Sequence, residues 1–394
     1  MKPQIVDRPL FRNWPDTLVD PGRFREEQDR LARVWTFLGF AQSVSGDGDW
    51  FRATLATRSV FVQRFGSELR GFENRCAHRS YPLRTSDSGN GPVVCGFHHW
   101  RYDEEGRAVG IPQCQQLFGR PAREMGISLN PIEVAACGSL IFGRFRAAGD
   151  AESLQEFLGE SFPILEAMCG PSTAPRFLSS KVESNWRLCV QIAVEDYHVV
   201  AVHAPVWGKA GYLKRDNIRY FRFGWHSAFF TNPDPGAMAR MAAECRVGTW
   251  QSANYRVFHI FPNLTVNHFH SDRGHWYVMA MQYVPVNSRQ CMMRAWYHPA
   301  PFPSDRPWYD RLSAPFLGPV RRWLVHRYAR KVLDQDSRIC ERLQAIGRQI
   351  NAAPVLGGLE ERVGWFEEAY AAAVGGREPA RSAAADQGVR VASA

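Results

Sequence analysis

The chain has 394 residues, 45% of them apolar and 13% aromatic, enough for two or three domains with a sizeable buried core. Its formal charge is +9, yet no block of five or six basic residues occurs, so a solvated arginine-rich surface is a plainer reading than a nucleic-acid-binding tail. Neither an apolar leader after Met1 nor a run of about eighteen apolar residues is present, so the expectation is a cytoplasmic protein with no membrane span.

In chain order, "DPGRFREEQDRLARVWTFLGF" (20–40) spaces Phe24, Leu31, Val34 and Trp35 between charges, which predicts an amphipathic helix starting near Asp20–Pro21. From 50 to 75 the apolar period becomes two, with Gly and polar turns, and predicts a small all-β unit continuing to about 147. "SSKVESNWRLCV" predicts a strand and then a helix capped by Ser184 or Asn185. Residues 215–300 hold long alternating runs rich in aromatic and β-branched residues, "YRVFHIFPNLTVNHF", "HWYVMAMQYVPV" and "QCMMRAWYHP", which predict an antiparallel sheet with one buried face. Helical spacing returns over 307–350. The small, polar run from Gly375 is expected to be disordered.

The nine cysteines are an odd number, and most are scattered in apolar surroundings, so a disulfide framework is not indicated. Two of them stand apart. Cys76-Ala77-His78 and Cys95-Gly96-Phe97-His98 are two knuckles separated by sixteen residues, each with one thiol and one imidazole. Such spacing points to a metal site, and zinc accepts these ligands. A 2Fe–2S cluster with two cysteines on one iron and two histidines on the other calls for this mixture in each loop. A second group follows in "VQIAVEDYHVVAVHAP": Glu195, His198 and His203 form E-x-x-H-x4-H. On an ideal helix the two histidines would lie about 140° apart, so they converge only if the helix ends or distorts, which Pro205 favours. Two histidines and a distant carboxylate form the facial triad of non-haem iron oxygenases, which leaves positions open for O2 and substrate. "VLDQDSRICERLQ" offers that carboxylate in Asp336.

The first stretch resembles the Rieske iron–sulfur domain, with Arg79, Trp100, Tyr102, Asp103 and Gly106 also matching its pattern. Combined with "SNWRLCVQIAVEDYHVVAVH" and "QDSRICERLQ", the chain from about 18 to 370 resembles the catalytic α subunit of the Rieske non-haem iron, or aromatic-ring-hydroxylating, oxygenases. The resemblance implies an α+β fold: a small all-β Rieske domain, then an antiparallel sheet flanked by helices in a helix-grip arrangement. The expected boundaries are 1–40 for an N-terminal helical segment packing on the catalytic domain, 41–150 for the Rieske domain, 151–374 for the catalytic domain and 375–394 for the tail.

It also implies ligands. Cys76, His78, Cys95 and His98 would bind the cluster. His198, His203 and Asp336 would bind one Fe(II), and Glu195 would link a triad histidine to the cluster of the next subunit in a head-to-tail homotrimer. His99 and Ser80 stand where the family usually has glycine, so His99 is expected to lie beside the cluster without ligating it. The implied partners are a small organic substrate, O2, and a ferredoxin or flavin reductase carrying NAD(P)H electrons, with or without a small β subunit, and neither nucleic acid nor membrane. The implied reaction is hydroxylation of an aromatic or other apolar compound; N- or O-demethylation by a monooxygenase, or electron carriage alone, are the alternatives. Gln191-Ile192-Ala193 replaces a common E-N-F, and Glu195 stands where ring-dihydroxylating members often have Asp, which leaves the product type open. Val199, Trp207, Phe229, Phe258, Phe261, Val266 and Trp296 are candidate pocket walls between sheet and triad helix.

Overall fold

The computed structural model describes residues 18–147, 149–170, 175–203, 218–231, 236–251, 255–270, 276–299, 308–346 and 355–376. Contacts divide the chain into one unit formed by Gln28–Phe157 with Cys169–Pro171, and another formed by the remainder.

Helix α1 (Pro21–Leu31) crosses the boundary between the two. Asp20 Oδ1 accepts the Arg23 N–H at 2.8 Å, and Pro21 occupies a first-turn position where its missing N–H costs nothing. The helix does not continue to 40 as its spacing suggested. Thr36–Phe40, "TFLGF", is rich in aromatic residues and pairs as strand β1 with Leu140–Arg144, so Thr36 faces Gly143 and Phe37 faces Phe142. Tertiary pairing thus overrides helical periodicity, and the division by contacts falls at 27/28.

The first unit is a seven-stranded antiparallel sheet. Its members are β1, β2 (Asp49–Leu55), β3 (Arg58–Phe65), β4 (Glu68–Glu73), β5 (Ser88–Asn90), β9 (Pro131–Cys137) and β10 (Leu140–Arg144), in the order β1-β10-β9-β4-β3-β2-β5. A three-stranded sheet, β6 (Val93–Val94), β7 (Arg101–Tyr102) and β8 (Ala108–Gly110), carries the second knuckle between β6 and β7. Phe61 and Phe72 pack with Cys76, Leu83, Val93, Cys95, Trp100 and Tyr102 in one core, so the thiols are built into apolar packing. Buried Arg84 ties the knuckles together: it donates to Pro92 O at 3.1 Å, and its backbone exchanges hydrogen bonds with the Asn74 side chain. Gly106, at φ +78, turns the chain over Phe72, whose ring lies 2.5 Å from where a Cβ would stand.

The second unit is built on a seven-stranded antiparallel sheet. Its strands are β11 (Arg176–Val182), β12 (Ile218–Phe223), β13 (His226–Thr231), β14 (Arg256–Ile260), β15 (Leu264–His270), β16 (Trp276–Asn287) and β17 (Gln290–Pro299), in the order β11-β17-β16-β15-β14-β13-β12. Its helices include α2 (Trp186–Val194), α3 (Val199–Val202), α4 (Ala237–Arg246), α5 (Trp308–Ile346) and α6 (Glu361–Val374). Asn185 caps α2 by accepting the Arg187 N–H at 2.9 Å. Helices α2, α5 and α6 cover one sheet face. Cys340 reaches Leu188 O, Ser337 reaches Met293 Sδ, and Arg362 reaches Ser227 Oγ. On α5, Leu333, Asp336, Ser337 and Cys340 are buried, whereas Asp334 and Arg338 are exposed, the pattern of a helix with one inward stripe.

Cross-strand register corrects the expected pocket walls. Phe258, Val266, Ala280 and Trp296 pair in one row. The adjacent row, Ser227–His259–Thr265–Met281, includes the serine bonded to α6, so Phe258, Val266 and Trp296 point to the opposite face. Phe229 lies on the helix-covered face, paired with Val257. Phe261 packs on Phe366 and Val199 is half-buried, while Trp207 lies outside the described residues. The expected disordered tail does too, apart from Gly375 and Gly376. Among the described residues no helix is long and apolar enough to cross a membrane.

Candidate metal centres

The two Cys/His knuckles have the same backbone wiring. Cys76 N–H donates to Tyr81 O at 2.8 Å and Cys76 O accepts from Ser80 at 2.9 Å; Cys95 N–H donates to Trp100 O at 2.9 Å and Cys95 O accepts from His99 at 3.0 Å. Ser80 and His99 occupy the same place in this loop, and both have φ +57. That left-handed conformation explains why glycine suits the position. His99 therefore closes its loop through its backbone, with its side chain exposed.

Cys76 and Cys95 are buried, while His78 and His98 lie exposed with ring centroids 4.8 Å apart. Trp100 stacks on His78 at 4.7 Å, with ring planes 3° apart. Tyr102 Oη lies 3.0 Å from Cys76 Sγ and accepts the Ala77 N–H at 3.1 Å. Burial pushes the Cys76 thiol up, and the Tyr102 hydrogen bond works against it. Two inward thiols and two outward imidazoles match the donor set of a cluster with one iron bound by sulfur and the other by nitrogen. The other seven cysteines are free thiols, six of them buried.

The second centre depends on where α2 stops. Glu195 is extended (φ −114, ψ 150), so the helix ends at Val194, and Glu195 does not share a helix face with His198 as the spacing suggested. Instead its carboxylate folds back over the new turn. Oε2 accepts the His198 N–H at 3.0 Å, and Oε1 lies 2.5 Å from His198 Nδ1. The single-turn helix α3 is flanked by His198 and His203, and the interruption brings their rings to 5.2 Å. His203 Nδ1 lies 3.0 Å from Gln335 Oε1, whose amide donates to Val202 O at 2.9 Å.

With both Nδ1 atoms engaged, both Nε2 atoms turn to Asp336 Oδ1, His203 at 3.0 Å and His198 at 3.7 Å. Ligand atoms of the three side chains lie within 4.8 Å of one another. Asp336 Oδ1 is buried without a hydrogen bond, an orphaned acceptor facing two nitrogen lone pairs. That arrangement fits a cation held by two histidines and one carboxylate. Sequence reasoning picked out all three ligand candidates and Glu195. It missed Gln335, although the residue adjoins Asp336 in the quoted motif, and it missed buried Asp196 and Arg362, which have no motif spacing.

Residues 173–376 match the family model for the ring hydroxylating alpha subunit catalytic domain, and residues 34–125 match that for the Rieske [2Fe-2S] domain. The chain is 30% identical over 197 residues to the terephthalate 1,2-dioxygenase terminal oxygenase component subunit alpha 2 of Comamonas sp, covering 47% of each. It is 26% identical over 221 residues to toluate 1,2-dioxygenase subunit alpha of Pseudomonas putida, 53% of this chain and 48% of that one. The chain thus spans about half the length of these curated relatives. The crystal structure of naphthalene 1,2-dioxygenase from Rhodococcus sp. bound to indole has the same fold. Its TM-score is 0.70, covering 91% of this chain and 93% of that one at 18% identity.

Proposed function

The chain belongs to the ring-hydroxylating alpha subunit family, with a Rieske domain preceding the catalytic domain, and from that membership we propose that it is the terminal oxygenase component of a multicomponent system. It hydroxylates an aromatic or other apolar organic substrate with O2, using NAD(P)H electrons delivered by a flavin reductase, with or without a ferredoxin. The supporting observation is the convergence of His198, His203 and the unpaired Asp336 Oδ1 in the same chain as a Cys/His cluster-binding loop pair.

When bound, the 2Fe–2S cluster supplies single electrons and the mononuclear iron supplies the position at which O2 is reduced. The protein does the rest. Cys76, His78, Cys95 and His98 hold the cluster, and Trp100 covers one imidazole face. Gln335 fixes the His203 ring and Glu195 the His198 ring, each through Nδ1, so that Nε2 is left to ligate. The substrate lies between the sheet and the helices carrying the triad. The subunits form a head-to-tail ring of three, in which Glu195 links His198 to a cluster histidine of the adjoining subunit.

The test is substrate-dependent O2 consumption by the metal-loaded protein with a surrogate reductase, over a panel of aromatic and N- or O-methylated compounds. Hydroxylated or demethylated product, abolished in Asp336→Ala with the cluster spectrum intact, is the expected result. A cluster that accepts electrons while no compound elicits O2 uptake would reduce the protein to an electron carrier.

A further inference from the structure

Helix α5 is apolar on two faces. Its inward stripe, Val325, Ala329, Leu333, Asp336 and Cys340, is buried, as a helix lying on a sheet requires. On the opposite face Val320, Trp323 and Leu324 point outward, 53%, 53% and 51% exposed. At 3.6 residues per turn the three lie within about 100° of arc. Among the described residues Trp323 is the only tryptophan classed as exposed. Arg327 and Lys331 continue the same stripe in the next two turns, and Arg330 borders it; all three are exposed. Arg327 lies over the Trp323 ring, 5.6 Å from its centroid. None of these three cations has an ion pair with a described residue. The run from Pro319 to Leu333, "PVRRWLVHRYARKVL", holds five basic residues and no Asp or Glu. The first outward acid is Asp334, in the following turn.

Covering Val320, Trp323 and Leu324 would remove apolar surface from water, which is favourable. A purely apolar cover would strand Arg327, Arg330 and Lys331 without counter-charge, and each unpaired charge is costly in a dry contact. A nucleic-acid backbone would neutralise the cations and leave the apolar trio wet. A protein contact sets its apolar residues inside a polar rim. Here the charges stand on one side only, since "SAPFLGP" before Val320 carries none. An anionic bilayer surface meets both halves of the stripe. Its headgroup boundary takes an indole, apolar on its faces and polar at its N–H, together with leucine. Its phosphates take the cations.

We propose that the outward face of α5 rests on an anionic lipid surface, with Trp323 and Leu324 at the acyl boundary and Arg327, Arg330 and Lys331 among the phosphates. The contact is peripheral and needs no spanning helix. It replaces the expectation of no membrane partner and goes beyond the oxygenase reading, whose apolar substrates would partition into the same bilayer.

The experiment is flotation of the metal-loaded, full-length protein with vesicles of phosphatidylcholine alone, or of phosphatidylcholine and phosphatidylglycerol at about two to one. The wild type should bind the anionic vesicles at least about tenfold more tightly than the neutral ones, and added salt should weaken it. A chain of formal charge +9 attracts anionic lipid over its whole surface, so variants must locate the contact. Trp323→Ser with Leu324→Ser keeps the charge and should weaken binding about tenfold. Arg327→Glu with Lys331→Glu should weaken it at least as much, since each basic side chain contributes about fivefold. The same reversal at Arg120 and Arg123, exposed in the other unit, should cost less than about threefold. Independently, lipids brominated in the acyl chain should quench the tryptophan fluorescence of the wild type, and quench Trp323→Phe less. That comparison decides the matter even where a double variant fails to fold. Absence of flotation with anionic vesicles overturns the proposal. Flotation shared equally by every variant also overturns it, as attraction by overall charge. A wild type that stays off vesicles, with a native mass that changes in Trp323→Ser with Leu324→Ser, would give this face to a second copy of the chain instead.

Discussion

Arg362 Nη1 stands 3.9 Å from Asp196 Oδ2, in an interior where neither guanidinium Nη atom nor that carboxylate oxygen has a hydrogen bond. The arginine is fully buried and its Nε donates to Ser227 Oγ at 3.1 Å. Burial raises Asp196 to a pKa of about 7, while Arg362 works in the opposite direction. Asp196 is also the residue after Glu195, so one peptide unit carries both the hydrogen bond to His198 and the inward carboxylate.

Removing one member of a buried ion pair strands the other, at a typical cost of about 3–5 kcal/mol, whereas replacing both is often close to neutral. Arg362→Met should therefore destabilise the second unit by about that amount. Asp196→Asn combined with Arg362→Met should recover most of the loss. Urea unfolding of the four proteins in the cycle measures the coupling. Strictly additive single effects would mean that the two groups do not interact.

His259 provides the pH dependence. Burial first, then the charges of Arg362 and His226, lower its pKa from 6.5 to about 3, with Pro262 O giving a small opposing contribution. The folded protein therefore holds it neutral where the unfolded chain would take up a proton. That stability is fully present above pH 6.5 and is lost progressively as pH falls toward 3, by about 1.4 kcal/mol per unit. Between pH 7 and pH 5 the wild type should lose about 2 kcal/mol through this residue. His259→Gln should show a shallower fall in urea midpoint over the same interval. Parallel profiles would mean that another group governs the acid limb.

The equivalent backbone positions of Ser80 and His99 lead to a sharp contrast with the adjacent candidate ligand His98. A non-glycine residue in the left-handed region carries a strain of about 1–2 kcal/mol, although lost backbone entropy offsets part of the gain from glycine. Ser80→Gly and His99→Gly should be neutral to stabilising by up to about 1 kcal/mol, and both should keep the cluster's visible absorbance and reduced-state EPR signal. His98→Ala should lose both signals. Loss of the cluster in His99→Gly with retention in His98→Ala would exchange the two assignments.

Asp334 and Asp336 stand two residues apart on α5, one exposed and one facing the histidines. Asp336→Ala should lose mononuclear iron and keep the cluster spectrum, while Asp334→Ala keeps both. Gln335→Leu removes the acceptor from His203 Nδ1, and loss of such an orienting partner typically weakens metal affinity by about 10–100-fold. Iron titration of the three variants separates ligand, orienter and bystander. Unchanged affinity in Gln335→Leu would assign the amide to helix packing alone.

The candidate metal-binding segments were legible in the sequence because metal chemistry restricts residue types and spacings tightly, and the fold brings each set together: Cys76, His78, Cys95 and His98 in paired loops, and His198, His203 and Asp336 within 4.8 Å of one another. The two sheets were legible from period-two alternation. What escaped depends on contacts distant in the chain. Thr36–Phe40 becomes a strand only because Leu140–Arg144 lies beside it. The direction in which Phe258, Val266 and Trp296 point follows from register, which single-strand alternation does not fix. Arg362 meets Asp196 across more than 160 residues of chain, so no local pattern announces the pair. The break at Glu195 was half-legible. Convergence of the histidines demanded an interruption, but its place before His198 is set by the carboxylate capping the new turn.

That cap bears on the last prediction. Glu195 already makes two contacts with His198, and a carboxylate offers about four lone-pair sites, so a further donor can be accepted. Its side chain keeps 13% exposure, enough for a group outside the chain to reach it. His78 and His98 are exposed as well, in the other unit. In a head-to-tail ring, an imidazole N–H of one subunit's cluster ligand would meet the Glu195 carboxylate of the next. Glu195→Gln should then retain both metals and lose steady-state turnover, since the amide holds His198 less well and links the cofactors poorly. Single turnover of the pre-reduced protein should give little product although its cluster is fully reduced. If Glu195 only orients His198, Glu195→Gln should lose iron in step with activity instead. Complementation tests the subunit crossing separately. Subunits carrying Cys95→Ala mixed with subunits carrying His198→Ala, with mixed assembly established by native mass, should recover part of the activity. In such a ring an intact cluster adjoins an intact iron only across an interface. Mixed assemblies without recovered turnover would sink the link between subunits and leave Glu195 as the capping and orienting residue seen in the isolated chain.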